Sequence, residues 1–280
     1  MMGPYNGYKK FNFEKLRDFA PAGRFAIARA VAAKRRFLGA LVVASLVLPG
    51  LAFAAHPLIT EDTGTQGDGR FEWENGLAFT RDADVRSFEY GPQLSYGALD
   101  TLDVIVRPTW VEQRFAASAR GGRERGAGDT ALDVKWRFHE SGPLSFGTRA
   151  GVGLPTGNAD KGLGAGRVSI HALAIATIDV APLALHANAG YVHSVADGER
   201  RHQWQASVAA VWSAHERAKL TLDVAATSNA DAQRASAPAV ARAGAIFTIV
   251  EGFDVDAGYQ ARLNRAAPER VVLVGATLRW

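Results

Sequence analysis

Arg70-Phe71-Glu72-Trp73-Glu74-Asn75-Gly76-Leu77-Ala78-Phe79-Thr80 alternates apolar and polar side chains. Phe71, Trp73, Leu77 and Phe79 share one face, and Glu72, Glu74 and Thr80 share the other. A period of two places successive side chains on opposite faces of a strand, whereas a helix would carry them round at 3.6 residues per turn. The stretch also has the length a strand needs to cross a bilayer, roughly 9–11 residues.

Outward from this stretch the pattern recurs to the C-terminal Trp280. Residues 87–96 set Phe88, Tyr90, Leu94 and Tyr96 against Glu89, Gln93 and Ser95, and residues 102–110 set Leu102, Val104, Val106 and Trp110 against Asp103, Arg107 and Thr109. Leu132, Val134, Trp136 and Phe138 then oppose Asp129, Asp133, Lys135 and Arg137. Further segments follow over 144–154, 168–178, 183–193, 202–212, 220–227, 241–249, 253–263 and 272–280. The sum is about twelve strands, an even number as in bacterial barrels. A sheet in lipid must close all its backbone hydrogen bonds, so the expected fold is all-β, a transmembrane antiparallel up-and-down β-barrel over residues 70–280.

Gaps between segments alternate in length. Tight connections such as Gly97-Ala98-Leu99-Asp100 follow even strands, while longer polar ones (113–128, 155–167, 194–201, 228–240) follow most odd strands. Short periplasmic turns and long external loops have this rhythm, which places both ends of the barrel on the periplasmic side. All six tryptophans (Trp73, Trp110, Trp136, Trp204, Trp212, Trp280) fall on the outward face near strand ends, as an interfacial girdle requires. The last strand ends on an aromatic residue, which resembles the signal that outer-membrane proteins present to the barrel-assembly machinery. A water-soluble barrel would turn these aromatics inward and solvate the charged face.

Ahead of the barrel, Lys34-Arg35-Arg36, the apolar run 37–48 and the small residues Ala52 and Ala54 form a secretory signal with cleavage before Ala55. The run is too short for a spanning anchor, which needs about 20 residues. Residues 1–54 are thus a signal peptide with an extended N-terminus. A true start near Val31 is expected, and N-terminal sequencing of the precursor tests it by whether Met1 is retained. Destination and signal together place the protein in the outer membrane of a Gram-negative bacterium. Residues 55–69 are polar and are read as either a plug or an ordered periplasmic tail.

The net charge of +4 belongs to the signal. Residues 1–54 hold nine of the 32 basic and two of the 28 acidic residues, leaving 23 basic and 26 acidic in the mature chain, a net charge near −3. No nucleic-acid partner follows from it. Without cysteine, disulfide and thiolate chemistry are excluded.

Candidate lumen-lining residues are Glu72, Glu74, Glu89, Asp103, Arg107, Asp133, Lys135, Arg149, His171 and His186. Both signs are mixed, so the expectation is mutual neutralisation, with a substrate-binding ladder as the alternative. Arg242, Asp254, Asp256, Arg262 and Arg279 extend the charged wall, while Leu173, Ile175, Val192 and Ala209 make the facing wall milder. Such a lumen suits a small amphipathic or aromatic solute. The histidines lack metal-ligand spacing, and no cofactor is expected. The Gly-rich segment 155–166 lacks the Gly-Lys-Ser/Thr ending of a phosphate loop and reads as a flexible loop. His193-Ser194 with Asn188 is the nearest approach to a hydrolase constellation, but neighbours on a strand face opposite ways, so no enzymatic activity is expected. The external run 114–125, with four arginines, could pair with lipopolysaccharide or stand as a solvated loop.

The opening His56-Pro57-Leu58-Ile59-Thr60-Glu61-Asp62-Thr63-Gly64-Thr65-Gln66-Gly67 resembles that of a family of outer-membrane transporters associated with the meta-cleavage pathway of phenol degradation. Gly126-Ala127-Gly128-Asp129 with 132–138, and Leu154-Pro155-Thr156-Gly157, are similar to two further motifs of that family. The resemblance implies a porin-like channel for the uptake or export of small aromatic or hydrophobic compounds. It brings no residue-level site. A structural or surface-recognition barrel without transport is the alternative, marked by a blocked lumen and binding confined to the external loops.

Overall fold

The computed structural model describes residues 56–117 and 121–280. The expected signal peptide lies outside the described residues. Twelve barrel strands follow in chain order: β1 (Phe71–Asp82), β2 (Val85–Leu99), β3 (Leu102–Arg107 and Trp110–Phe115), β4 (Arg123–Ala127 and Thr130–Ser141), β5 (Leu144–Leu154), β6 (Ser169–Val180), β7 (Leu183–Ser194), β8 (His202–His215), β9 (Ala218–Thr227), β10 (Ala239–Val250), β11 (Phe253–Arg262) and β12 (Arg270–Arg279). Each pairs antiparallel with its neighbours in sequence, and β1 pairs with both β2 and β12, closing the barrel. The up-and-down barrel expected from the alternation is the fold observed.

The seam is sealed at the periplasmic end. Phe71 and Trp280 exchange backbone hydrogen bonds of 2.9 and 3.1 Å, and their rings stack 5.5 Å apart. Outside, the six tryptophans are between 43 and 59% exposed, with Trp110 and Trp204 toward the external end and Trp73, Trp136, Trp212 and Trp280 toward the periplasmic end. Between them run exposed Val, Leu and Ile side chains such as Val134, Leu185, Val208 and Leu222. Exposed apolar side chains outside and buried polar ones inside invert the soluble pattern, because the outer solvent is lipid.

Two sequence expectations are corrected. The run after Arg114 is no open loop: Trp110–Phe115 pairs with Arg123–Ala127 as a hairpin that continues β3 and β4 outward. Glu112 accepts from Arg114 Nε at 2.9 Å and also from Arg123 Nη2, so two of the arginines are matched within the hairpin. Polar residues on both faces erased the alternation that would have revealed these strands. The wall is interrupted at Pro108-Thr109 and Gly128-Asp129, since proline lacks the N–H that a ladder needs.

The Gly-rich segment is also ordered rather than loose. Asp129, expected to face the lumen, instead accepts the backbone N–H of Gly157 at 2.9 Å and of Ala165 at 2.7 Å, while Thr156 Oγ1 donates to the Gly128 carbonyl at 3.0 Å. Leu163 is buried beneath this turn. The two motifs set apart in the sequence are therefore one contact in space.

Candidate functional site

Residues 56–67 run inside the barrel along its periplasmic half, and the exposed residues 68–70 lead over its rim into β1. From β1 the chain first meets the start of β3, where Gln66 N donates to Asp103 Oδ1 at 3.0 Å. It then passes β5 and β6, where Thr63 bonds Ser145 Oγ and its N–H reaches Thr177 Oγ1 at 3.2 Å. At β7, Asn188 grips both the N–H and the carbonyl of Glu61 (2.6 and 2.9 Å). At β9, Asp223 accepts Ile59 N at 2.6 Å and Thr60 N at 2.8 Å. At β10, Arg242 Nη1 donates to the carbonyls of Pro57 and Leu58, at 2.8 and 3.0 Å. His56 pairs with Asp256 on β11, and its N–H donates to Glu74 on β1 at 3.3 Å. The segment thus circles the inner wall and returns to the strand it leads into. An extended chain has no internal hydrogen bonds, so buried backbone groups must find partners on the wall.

Glycines clear the space for it. A Cβ on Gly244 would lie 2.7 Å from Pro57 Cγ, and one on Gly275 would lie 2.5 Å from His56 Nδ1.

The ten candidate residues fall on the inner face, nine buried and Glu89 half-buried. Five of them meet in one network. Arg149, fully buried, donates Nη1 to Glu61 Oε2 at 2.9 Å, and Nη2 to Asp133 Oδ2 at 2.8 Å and to Gln93 Oε1 at 2.9 Å. His171 bonds the other oxygen of Asp133. Lys135 Nζ donates to Glu61 Oε1 at 2.7 Å. Glu74 joins through Gln93 Nε2 at 2.6 Å. Glu72 and Asp103 are linked by Gln66, and Glu72 also receives Arg279 Nε at 2.7 Å. Arg107 faces Glu89 at 3.8 Å, and His186 bonds Thr177 at 3.0 Å.

Sequence reasoning missed the centre of this network. Glu61 lies in a segment with no periodicity, so nothing marked it as the partner of Lys135 and Arg149. The same holds for Asp223, which looks like an ordinary inward acid until the segment is seen bound to it. Ser194 Oγ donates to Glu199 Oε2 at 2.6 Å. His193 sits on the alternate face, so no nucleophile–base pair forms there. Among the described residues, no group of three or more His, Asp or Glu is arranged to hold a metal ion.

On the external side of the encircling segment lies a cavity of about 180 Å³. His56, Leu58 and Ile59 form its floor, and its walls come from β1–β3 and β8–β12. Ala267 and Pro268 of the last external loop also line it.

A closed barrel with lipid-facing aromatics and a polar interior defines the class: an outer-membrane β-barrel. The family follows from the sequence. The model described as "Putative MetA-pathway of phenol degradation" matches residues 54–280, and the chain belongs to that family, as its opening and two Gly motifs implied. No curated protein sequence matches the chain. Among solved structures, an outer membrane channel from Pseudomonas putida F1 superimposes with a TM-score of 0.69 at 14% identity, covering 78% of this chain and 98% of the other. The NanC and KdgM porins each give a TM-score of 0.52, at 7% and 4% identity, covering 74% of this chain and 98% of theirs. At these identities the likeness is one of fold.

Proposed function

We propose that this protein is an outer-membrane channel for small aromatic or hydrophobic compounds, with residues 56–69 as the plug that narrows its lumen. The observation that carries this reading is the external cavity above the encircling segment, a ring-sized space at the point where a solute from outside would meet the segment. An apolar cavity of about 150 Å³ accommodates benzene, so the volume here fits one aromatic ring. The mixed charges of the wall argue against simple ion selectivity, because neither sign dominates. The family and the likeness to channel and porin folds agree with the reading. Lipid surrounds the barrel, the exposed Arg125 of the external hairpin meets lipopolysaccharide phosphates, and the aromatic-ended β12 engages the assembly machinery.

Single-channel recording of the refolded mature chain in planar bilayers tests the proposal. Steady conductance reduced by small aromatics is expected, with larger conductance after deletion of residues 56–66. A folded barrel that does not conduct, with or without the segment, would sink it and leave the non-transporting alternative.

A further inference from the structure

The inward cations fall into two groups. Lys135, Arg149 and Arg279 each meet a carboxylate within 2.9 Å, and Arg107 faces Glu89. Arg242 differs. It is buried, and its hydrogen bonds run to uncharged oxygens: Nη1 to the Pro57 and Leu58 carbonyls, and Nε and Nη2 to Gln260 Oε1 at 3.3 and 2.7 Å. Asp223 stands opposite it in the β9–β10 ladder. That carboxylate, however, turns both oxygens to the segment, accepting Ile59 N, Thr60 N and Thr60 Oγ1. A guanidinium has five N–H groups, and these bonds occupy four, leaving one on Nη2.

Arg242 lines the external cavity together with Leu58, Val240, Val271 and Leu273. A guanidinium withdrawn from water and held by neutral dipoles favours an anion, and its remaining Nη2 hydrogen can donate a charge-assisted hydrogen bond to one carboxylate oxygen. The carboxylates of the opposite wall are otherwise engaged: Glu89 faces Arg107, and Glu74 accepts from His56 N and Gln93 Nε2. Arg107 also lines the cavity, but it faces Glu89, so the charges on that wall are matched while the Arg242 guanidinium bonds uncharged oxygens.

We propose that the cavity is a binding site for a small organic monoacid, with Arg242 recognising its carboxylate and the aliphatic lining taking its apolar body. Its place in transport rests on the channel reading; the binding does not.

Isothermal titration of the intact barrel in detergent, with benzoate and the near-isosteric neutral benzamide, separates the two. Benzoate is expected to bind saturably and at least tenfold tighter than benzamide, because a site built around a charged donor rejects an uncharged analogue. Arg242→Gln abolishes that preference. Val271→Phe fills the cavity without touching Arg242 and weakens both ligands at least tenfold. Equal affinities for the two ligands in the unmodified protein, or benzoate binding untouched by Val271→Phe, overturn the proposal. Steady conductance without benzoate binding overturns it and leaves the channel; benzoate binding without conductance does the reverse.

Discussion

Arg149 joins residues from three parts of the chain, Gln93 on β2, Asp133 on β4 and Glu61 of the inner segment, at no solvent exposure. Removing one partner of a buried charge group strands the others, at a cost of about 3–5 kcal/mol. Arg149→Met should therefore lower the unfolding free energy of the barrel in lipid vesicles, read by urea titration, by that much. A further Asp133→Asn should recover part of the loss, because it removes a buried carboxylate that Arg149 had matched and the two sites are coupled. On the external hairpin, the hydrogen bond from Arg123 holds the Glu112 carboxyl below its ordinary value of 4.5. A depressed carboxyl contributes stability that is complete above its unfolded value and is lost as pH falls through the folded one. Amide protection of the hairpin in hydrogen exchange should accordingly decline from pH 4.5 downward, and Glu112→Gln should remove that dependence.

Among the elements, the inner segment is held by many wall groups, whereas both loop amides of the Gly-rich segment rest on one carboxylate. Asp129 is the acceptor for two loop amides, so Asp129→Ala leaves both without a partner, at about 1–3 kcal/mol each where buried. The expected result is rapid proteolysis within residues 158–166 with the barrel itself intact, read by limited digestion and gel mobility. Gly244 acts in the opposite sense, by being absent as a side chain. Gly244→Leu would place a Cβ 2.7 Å from Pro57 Cγ and 2.8 Å from the Ala257 carbonyl oxygen, unseating the start of the segment at some cost to the β10–β11 pairing and raising single-channel conductance. An unchanged conductance would show that the segment's position does not limit the pore.

For the molecule as a whole, the apolar outside makes a prediction about lipid. Every tryptophan faces outward near a strand end, so brominated lipids should quench most of the intrinsic fluorescence. Bromines near the headgroups should quench more than bromines at the acyl termini, because indole N–H groups favour the interface. Strong quenching by deep bromines alone would place the rings away from the girdle.

The barrel was legible in the sequence because its signal is local. Period two, strand length, loop rhythm and tryptophan positions each follow from one strand meeting lipid on one side. Phe71, Trp73, Leu77 and Phe79 announce their face with no knowledge of any partner. What only the tertiary structure decided is what those strands enclose. His56 to Gln66 has no period to read, and its place is set by single polar contacts to Asp103, Asn188, Asp223, Arg242 and Asp256, which are far apart in sequence. The same holds where polar residues occupy both faces, as in the 110–127 hairpin, and where Asp129 leaves the wall to hold a loop. Alternation records the difference between lipid and lumen; it carries no information about which lumen groups find one another, because that depends on closure of the sheet.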